Sequence, residues 1–217
     1  MNKKIVICLL LLLSVSILFT GCKLFTVVKI TKSSTVGNQF NTNNFDANAY
    51  VKKVWNSQAM PELQKKAIDL GQLLNDANGN LDSVGKEYGI TTDSLNSYNF
   101  IVKGTLTVNK VDTQLRAGTL ECTLPGYSGK TAILLQIGPM YTSSSLRDSL
   151  SFVKFEDFQN QVVFDSVSDA FNAYIYNNVV SKVDVNNLQG KTVTFLGTFT
   201  ANDPSTVSIT PAELNAE

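Results

Sequence analysis

Near Ser97 the apolar period of the chain changes from 3.6 residues to two, and no other feature limits its fold as strongly. Upstream, Tyr50, Val51, Val54 and Trp55 make one stripe of a helix over residues 45–60. Pro61 is expected to stop or restart the chain, because its ring cannot donate a helical hydrogen bond. Leu63, Ala67, Leu70 and Leu74 then repeat at helical spacing and predict a second amphipathic helix, ended by the polar run 76–80. Leu81, Val84 and Tyr88 predict a short third helix closed by Gly89.

Downstream the pattern is that of strands. Phe100, Val102, Leu106 and Val108 alternate with Ile101, Lys103, Thr105 and Thr107, and Gly104 falls in the inward register. A glycine inside a strand marks a bulge or tight bend, as a closed barrel requires. Leu120, Cys122 and Leu124 alternate again before the turn at 125–130, and Ile133, Leu135 and Ile137 form a third strand ended by Gly138–Pro139. Val167, Ala170, Phe171, Tyr174 and Ile175 predict a helix, with Asp165 or Ser166 as its cap. Val193, Phe195 and Phe199 predict a fourth strand with Gly197 facing inward, and Val207 and Ile209 a fifth. Three strands, a helix and two strands is the chain order of an OB-fold. The expected class is α+β: N-terminal helices packed on an OB-like five-stranded β-barrel with a helix between strands 3 and 4.

The first residues carry a different signal. Lys3 and Lys4 precede an apolar run from Ile5 to about Phe19, then Gly21 and Cys22, which is the layout of a secretory signal. The run falls short of the roughly 20 residues that span a bilayer. Gly21–Cys22 resembles a bacterial lipobox, although Phe19 stands where leucine is usual, so Cys22 is the expected lipidation site. The expected organisation is a signal peptide over 1–21, a lipid-anchored tether over 22–44, a helical segment over 45–97 and the barrel over 98–217. The protein is therefore placed in the cell envelope, on the periplasmic side, held to a membrane through its N-terminal lipid.

Composition excludes several chemistries. Acidic and basic residues balance at 18 each, and loss of Lys3 and Lys4 with the signal leaves the mature chain slightly acidic. That argues against a nucleic-acid partner, which needs a clustered basic face. The chain has no histidine, so no Ser–His–Asp or Cys–His arrangement can form, and no enzyme activity is expected. No metal site or cofactor is expected either: Cys8 leaves with the signal, Cys22 carries lipid, and Cys122 stands alone in an inward register. The GKT triplets at 129–131 and 190–192 lack Walker spacing and run into strands, so they read as turns. Trp55 and Tyr50 could stack on a sugar, but aromatic residues at helical spacing are usually core.

The segment Ser143–Val162 holds the remaining polar candidates. Adjacent helical residues do not face each other, so Arg147 and Asp148 are not expected to pair. Arg147 is expected to reach a carboxylate or carbonyls elsewhere, and Asp148 to accept backbone amides. Phe152, Phe155 and Phe158 are expected to bury one face of a tight turn against the barrel, with Asn160 and Gln161 satisfying backbone groups beyond it. Such a network mainly fixes a corner of a fold. Its other reading is a ligand or partner contact formed by Arg147, Asp148, Asn160 and Gln161, with Arg147 holding an anionic or hydroxylated group.

The stretches 100–122, 134–164 and 188–200, with the helix 49–63, together resemble an uncharacterised family of predicted bacterial periplasmic lipoproteins. Ile137–Gly138–Pro139, Arg147–Asp148 and Phe155 through Gln161 carry the likeness most specifically. A glycine usual in that family before the Arg–Asp pair is replaced here by Ser143, Ser144 and Ser145. The resemblance implies an accessory role in carbohydrate uptake, since such proteins are often encoded beside sugar-type ABC transporters. The leading expectation is a non-enzymatic lipoprotein that contacts ABC transporter components. The alternative is direct binding of a small carbohydrate-like molecule, and a more distant one is a hydrolase using carboxylates such as Asp148 and Asp157. Cys22→Ala is expected to abolish palmitate incorporation and release the protein from membranes; retained label would place the lipid elsewhere.

Overall fold

The computed structural model describes residues 45–91 and 97–216, so the signal peptide, Cys22 and the tether expected over 22–44 lie outside the described residues. Residues 43–217 form one compact unit. Five strands close its barrel: β1 Tyr98–Asp112, β2 Ala117–Thr123, β3 Ala132–Pro139, β4 Thr192–Thr200 and β5 Thr206–Ala216. The order is β1-β2-β3-β5-β4, with β4 returning to β1. Only β3 and β5 run parallel among these pairs. This is the OB topology expected from chain order.

Closure depends on β1, which pairs with β4 from Asn99 to Thr107 and with β2 from Thr107 to Asp112. A register shift at Val108–Lys110 marks the bulge between those stretches. Bulges bend a strand and raise its twist, which lets one strand serve two neighbours that diverge. The first half of β1 is thus left with one free edge. Ile68–Asp69 covers part of it in parallel, opposite Val102–Lys103, and Ile90–Thr91 covers its start, opposite Tyr98–Asn99.

That edge explains a departure from the expected helices. The residues 63–74 do not form one helix: α2, Met60–Lys66, ends at Ala67, and α3, Leu70–Ala77, starts after the paired segment. Asp69 serves both elements, because it ends the pairing and its Oδ1 accepts the Gln72 amide at 3.0 Å. Periodicity alone would continue the helix, but the open strand edge takes the backbone groups at 68–69. Pro61 restarts the chain and does not stop it, standing in the first turn of α2. A π-helical turn, Trp55–Ala59, joins α1, Ala47–Val54, to α2, and the Met60 amide donates to the Trp55 carbonyl. The widened turn accommodates a residue with no N–H to donate. Leu81–Val84 is a 3₁₀ turn leading into the short α4, Gly85–Tyr88.

Between β3 and β4 lie α5, Ser145–Ser149, and the long α6, Gln161–Asn178. Helix α6 begins earlier than its apolar stripe suggests, and its cap is Asn160 rather than Asp165 or Ser166. Asn160 Oδ1 accepts the Val163 amide at 3.0 Å. Helices and barrel share one apolar core. Phe100 stacks on its cross-strand partner Phe199 at 5.2 Å, while Trp55 packs on Tyr174 of α6 at 4.5 Å between ring centres. The core assignment of Trp55 therefore holds, and Tyr50 packs at its margin. Cys122 is buried, its thiol pushed up to about 12 by desolvation, as for a packing residue.

The two inward glycines differ sharply. At Gly197 an added Cβ would lie 2.6 Å from both Ile209 Cγ2 and the Thr210 carbonyl oxygen, where β4 meets β5 opposite Pro211. At Gly104 its nearest neighbour is Phe195 Cε1 at 3.5 Å, an ordinary contact. Gly197→Ala should lower the unfolding free energy by about 1–3 kcal/mol, the usual range for overpacking. Gly104→Ala should change it by less than about 1 kcal/mol. Urea unfolding compares the two, and equal losses would contradict this packing.

Candidate functional site

The Arg147 corner is assembled from α5, α6 and the turn between them. Arg147 is 7% exposed. Its Nε donates to Asp148 Oδ1 at 2.7 Å, and Nη1 donates to the Phe164 carbonyl at 3.2 Å and Asp165 Oδ1 at 3.1 Å. Its guanidinium carbon lies 3.9 Å from the centre of the Phe164 ring. The two adjacent residues do pair, contrary to expectation. Helix α6 beside α5 turns the long Arg147 stem back, and Ser144 Oγ fixes Asp148 by donating to Oδ2 at 2.6 Å. Asp148 is thus held by side chains rather than by the backbone amides expected.

Ser143 and Ser145 stabilise this turn through their hydroxyls. Ser143 Oγ accepts the Ser145 amide at 3.0 Å, and Ser145 Oγ lies 2.9 Å from Thr198 Oγ1 inside the fold. Gln161 Nε2 donates to Asp165 Oδ1 at 2.7 Å, which joins Gln161 to Arg147 through one carboxylate. Asn160 caps α6. Of the three phenylalanines, Phe152 and Phe158 are partly buried against the core, and only Phe155 departs from the expected buried face. Phe158 packs on Phe45, Tyr50 and Phe164, while Phe155 meets Phe164 edge-on and stays 49% exposed.

Asp148 also faces a second feature that periodicity does not reveal. A cleft of about 300 Å³ opens at one end of the barrel. Asn99 of β1 and Thr200 of β4 line it, with Asn202 and Asp203 of the following loop and Thr206 and Ser208 of β5. Gln136 of β3, residues 142–144 and Asp148 complete the wall. Arg147, Asn160 and Gln161 do not line it. Among the candidates named from the sequence, Asp148 alone reaches the cleft.

Two amides inside it are buried. Gln136 is fully engaged: Nε2 donates to Thr210 Oγ1 at 3.2 Å, and Oε1 accepts the Thr142 amide at 3.3 Å. Asn99, 2% exposed, accepts from Thr200 Oγ1 at 2.6 Å through Oδ1, while its Nδ2 finds no acceptor among the described residues. At the rim the hydroxyl and amide of Ser205 hold the Asp203 carboxyl below its usual range. Two wider depressions of about 520 and 620 Å³ occur elsewhere, and neither carries a buried polar side chain.

Sequence reasoning missed this cleft because its walls come from five separated segments of Ser, Thr, Asn and Asp, residues that ordinarily face solvent. One trace exists: Gln136 interrupts the apolar run Ile133–Ile137. Among the described residues no group of three or more metal-ligating side chains gathers. None of their helices is long and apolar enough to cross a membrane.

A family model described as predicted periplasmic lipoprotein (DUF2291) matches residues 12–215, a span that includes Cys22 and nearly all of the described chain. No curated protein matches the sequence. Among solved structures, an OB-fold protein from Thermotoga maritima is similar, with a TM-score of 0.62 and 15% identity over 80% of this chain and 99% of that one. At that identity the likeness is one of fold. Arg147→Ala should cost about 2–4 kcal/mol of stability, because it strands Asp148 and uncovers the Phe164 ring. Thermal and urea unfolding measure the loss, and an unchanged midpoint would mean that the corner does not depend on this pair.

Proposed function

Because this chain belongs to the family of predicted periplasmic lipoproteins, and so is an envelope protein anchored by lipid on the periplasmic side, we propose that it is a binding protein whose barrel-end cleft takes a small neutral polyhydroxylated molecule. The observation that carries this reading is Asn99, a fixed amide whose free Nδ2 faces a cleft otherwise walled by hydroxyls, amides and carboxylates. That donor opens on the cleft, where a ligand oxygen would satisfy it. The carboxylates of Asp148 and Asp203 accept from ligand hydroxyls. No Lys or Arg lines the cleft, so an anionic group would find no counter-charge there. At about 300 Å³ the site stands at the small end of ligand pockets, which suits one sugar ring or a polyol.

The reading is one of binding without turnover. Asp148 is engaged by Arg147 and Ser144, and Asp157 is exposed on the turn Phe155–Asp157, so neither is poised as half of a hydrolytic pair. Cys22 is the proposed anchor, and no cofactor is needed for this role.

A second reading, contact with a carbohydrate ABC transporter, draws on the resemblance and on one surface feature. Leu115, 74% exposed, and Met140, 49% exposed, come together where the Met140 amide donates to the Arg116 carbonyl. Such a spot suits a protein partner. Calorimetric titration of the full-length protein with neutral monosaccharides and polyols tests the first reading. At least one compound should bind, and Asn99→Ala should weaken it by about ten-fold or more with the melting temperature retained. Silence across the whole panel would sink the ligand reading, and recovery of a permease through Leu115 and Met140 would then favour the second.

A further inference from the structure

The rings around Phe45 form a surface that the cleft does not use. Phe45, Tyr50, Phe158, Phe164 and Phe155 touch in sequence, with ring centres 5.5–5.8 Å apart. Phe45 also meets Phe158 edge-on at 5.6 Å. The two ends of this row are open to solvent, Phe45 at 37% and Phe155 at 49%. Beneath it the Arg147 guanidinium lies over Phe164, so the row is held by the network that fixes α5 to α6. The three middle rings are partly buried against the core, so the surface this row offers is the pair of exposed rings at its ends.

The position of Phe45 indicates what covers it. Phe45 is where the described domain begins, and the chain between it and Cys22 can extend no more than about 80 Å. With Cys22 in a bilayer, the face around Phe45 is the one from which the tether leaves the domain. Exposed phenylalanine rings enter the boundary between headgroups and acyl chains as apolar anchors, while a tyrosine keeps its hydroxyl wet. The charges beside the row do not favour an anionic surface. Asp157 lies close enough to raise the pKa of Tyr50, after burial, and Glu156 and Asp165 stand near it in sequence and in contact. Arg147 beneath the row is spent on Asp148 and Asp165, and Lys154, just before Phe155, is offset by Glu156 and Asp157.

We propose that the Phe45–Phe155 aromatic row docks on the bilayer that holds Cys22, entering the interface through Phe45 and Phe155 without help from anionic lipid. This rests on the reading of Cys22 as the lipid anchor and is independent of what the cleft binds. Docking turns one face of the domain toward the membrane, so that a freely swinging attachment becomes an oriented one.

The test uses the full lipidated protein in phosphatidylcholine vesicles carrying doxyl-labelled lipid. A bimane fluorophore is placed at Gln159→Cys, beside the row, or at Ser128→Cys in the β2–β3 turn. Cys122 is buried and should not compete for label. Lipid quenching should be several-fold stronger at position 159 than at 128. It should fall to the level of 128 when Phe45 and Phe155 are both changed to Ser, with circular dichroism unchanged, and it should not rise with added phosphatidylglycerol. Equal quenching at the two positions, or quenching indifferent to the Ser substitutions, overturns the proposal. So does a label shielded from lipid by residues 23–44 or by a cross-linked protein. Flotation separates the premises: failure to float with vesicles removes the anchor, whereas flotation without selective quenching removes only the docking.

Discussion

The structure depends on the pairing of β1. One fifteen-residue strand serves β4 with its first half and β2 with its second, and the bulge near Asn109 makes that possible by bending the strand between them. Barrel closure follows, and so does an unpaired edge along the first half of β1. An open edge invites pairing with other chains, and here the protein covers it with its own helical segment at Ile68–Asp69 and Ile90–Thr91. The helices are therefore not an appendage. They complete the sheet, and their buried leucines, Leu63, Leu70 and Leu73, enter the same core as Phe100 and Phe199.

The polar features are arranged around that closure. Asn99 and Thr200 face each other where β1 and β4 end together, so the cleft is a consequence of where the closing seam stops. The connection from β3 to β4 then crosses beside it. Its serines fold the chain into α5, bring Asp148 to the cleft wall and leave Arg147 turned toward α6. A single adjacent pair thus divides its work: Asp148 borders the cleft, while Arg147 ties the two helices and supports the aromatic row. The proposed binding cleft and the proposed docking row both depend on this one corner.

Much of the barrel was legible because strands with one buried face must alternate. Phe100, Val102, Leu106 and Val108 predicted β1, and Gly197 was rightly assigned inward, although only the fold shows that Gly197, unlike Gly104, has no room for a Cβ. The helical readings failed where a non-local partner competed for backbone groups. Nothing within residues 63–74 announces that 68–69 will be drawn to Val102–Lys103. Pro61 acts as a restart, since it stands in the first turn of α2 after the π turn, where its missing N–H is tolerated.

The sequence by itself determined the class of the protein. Its two hydrophobic periods in chain order specify helices followed by a five-stranded OB barrel, its first residues specify export, and the absence of histidine removes the commonest catalytic arrangements. These are local patterns or counts, which need no knowledge of contacts. Only the tertiary structure decided that Arg147 and Asp148 pair, that Phe158 packs on Tyr50 of α1 and Phe164 of α6, and that Asn99 and Gln136 share a cleft with Asp203. Each of these joins residues far apart in the chain or depends on a packed neighbour. Side-chain chemistry is written residue by residue, whereas the company a side chain keeps is set by closure of the barrel.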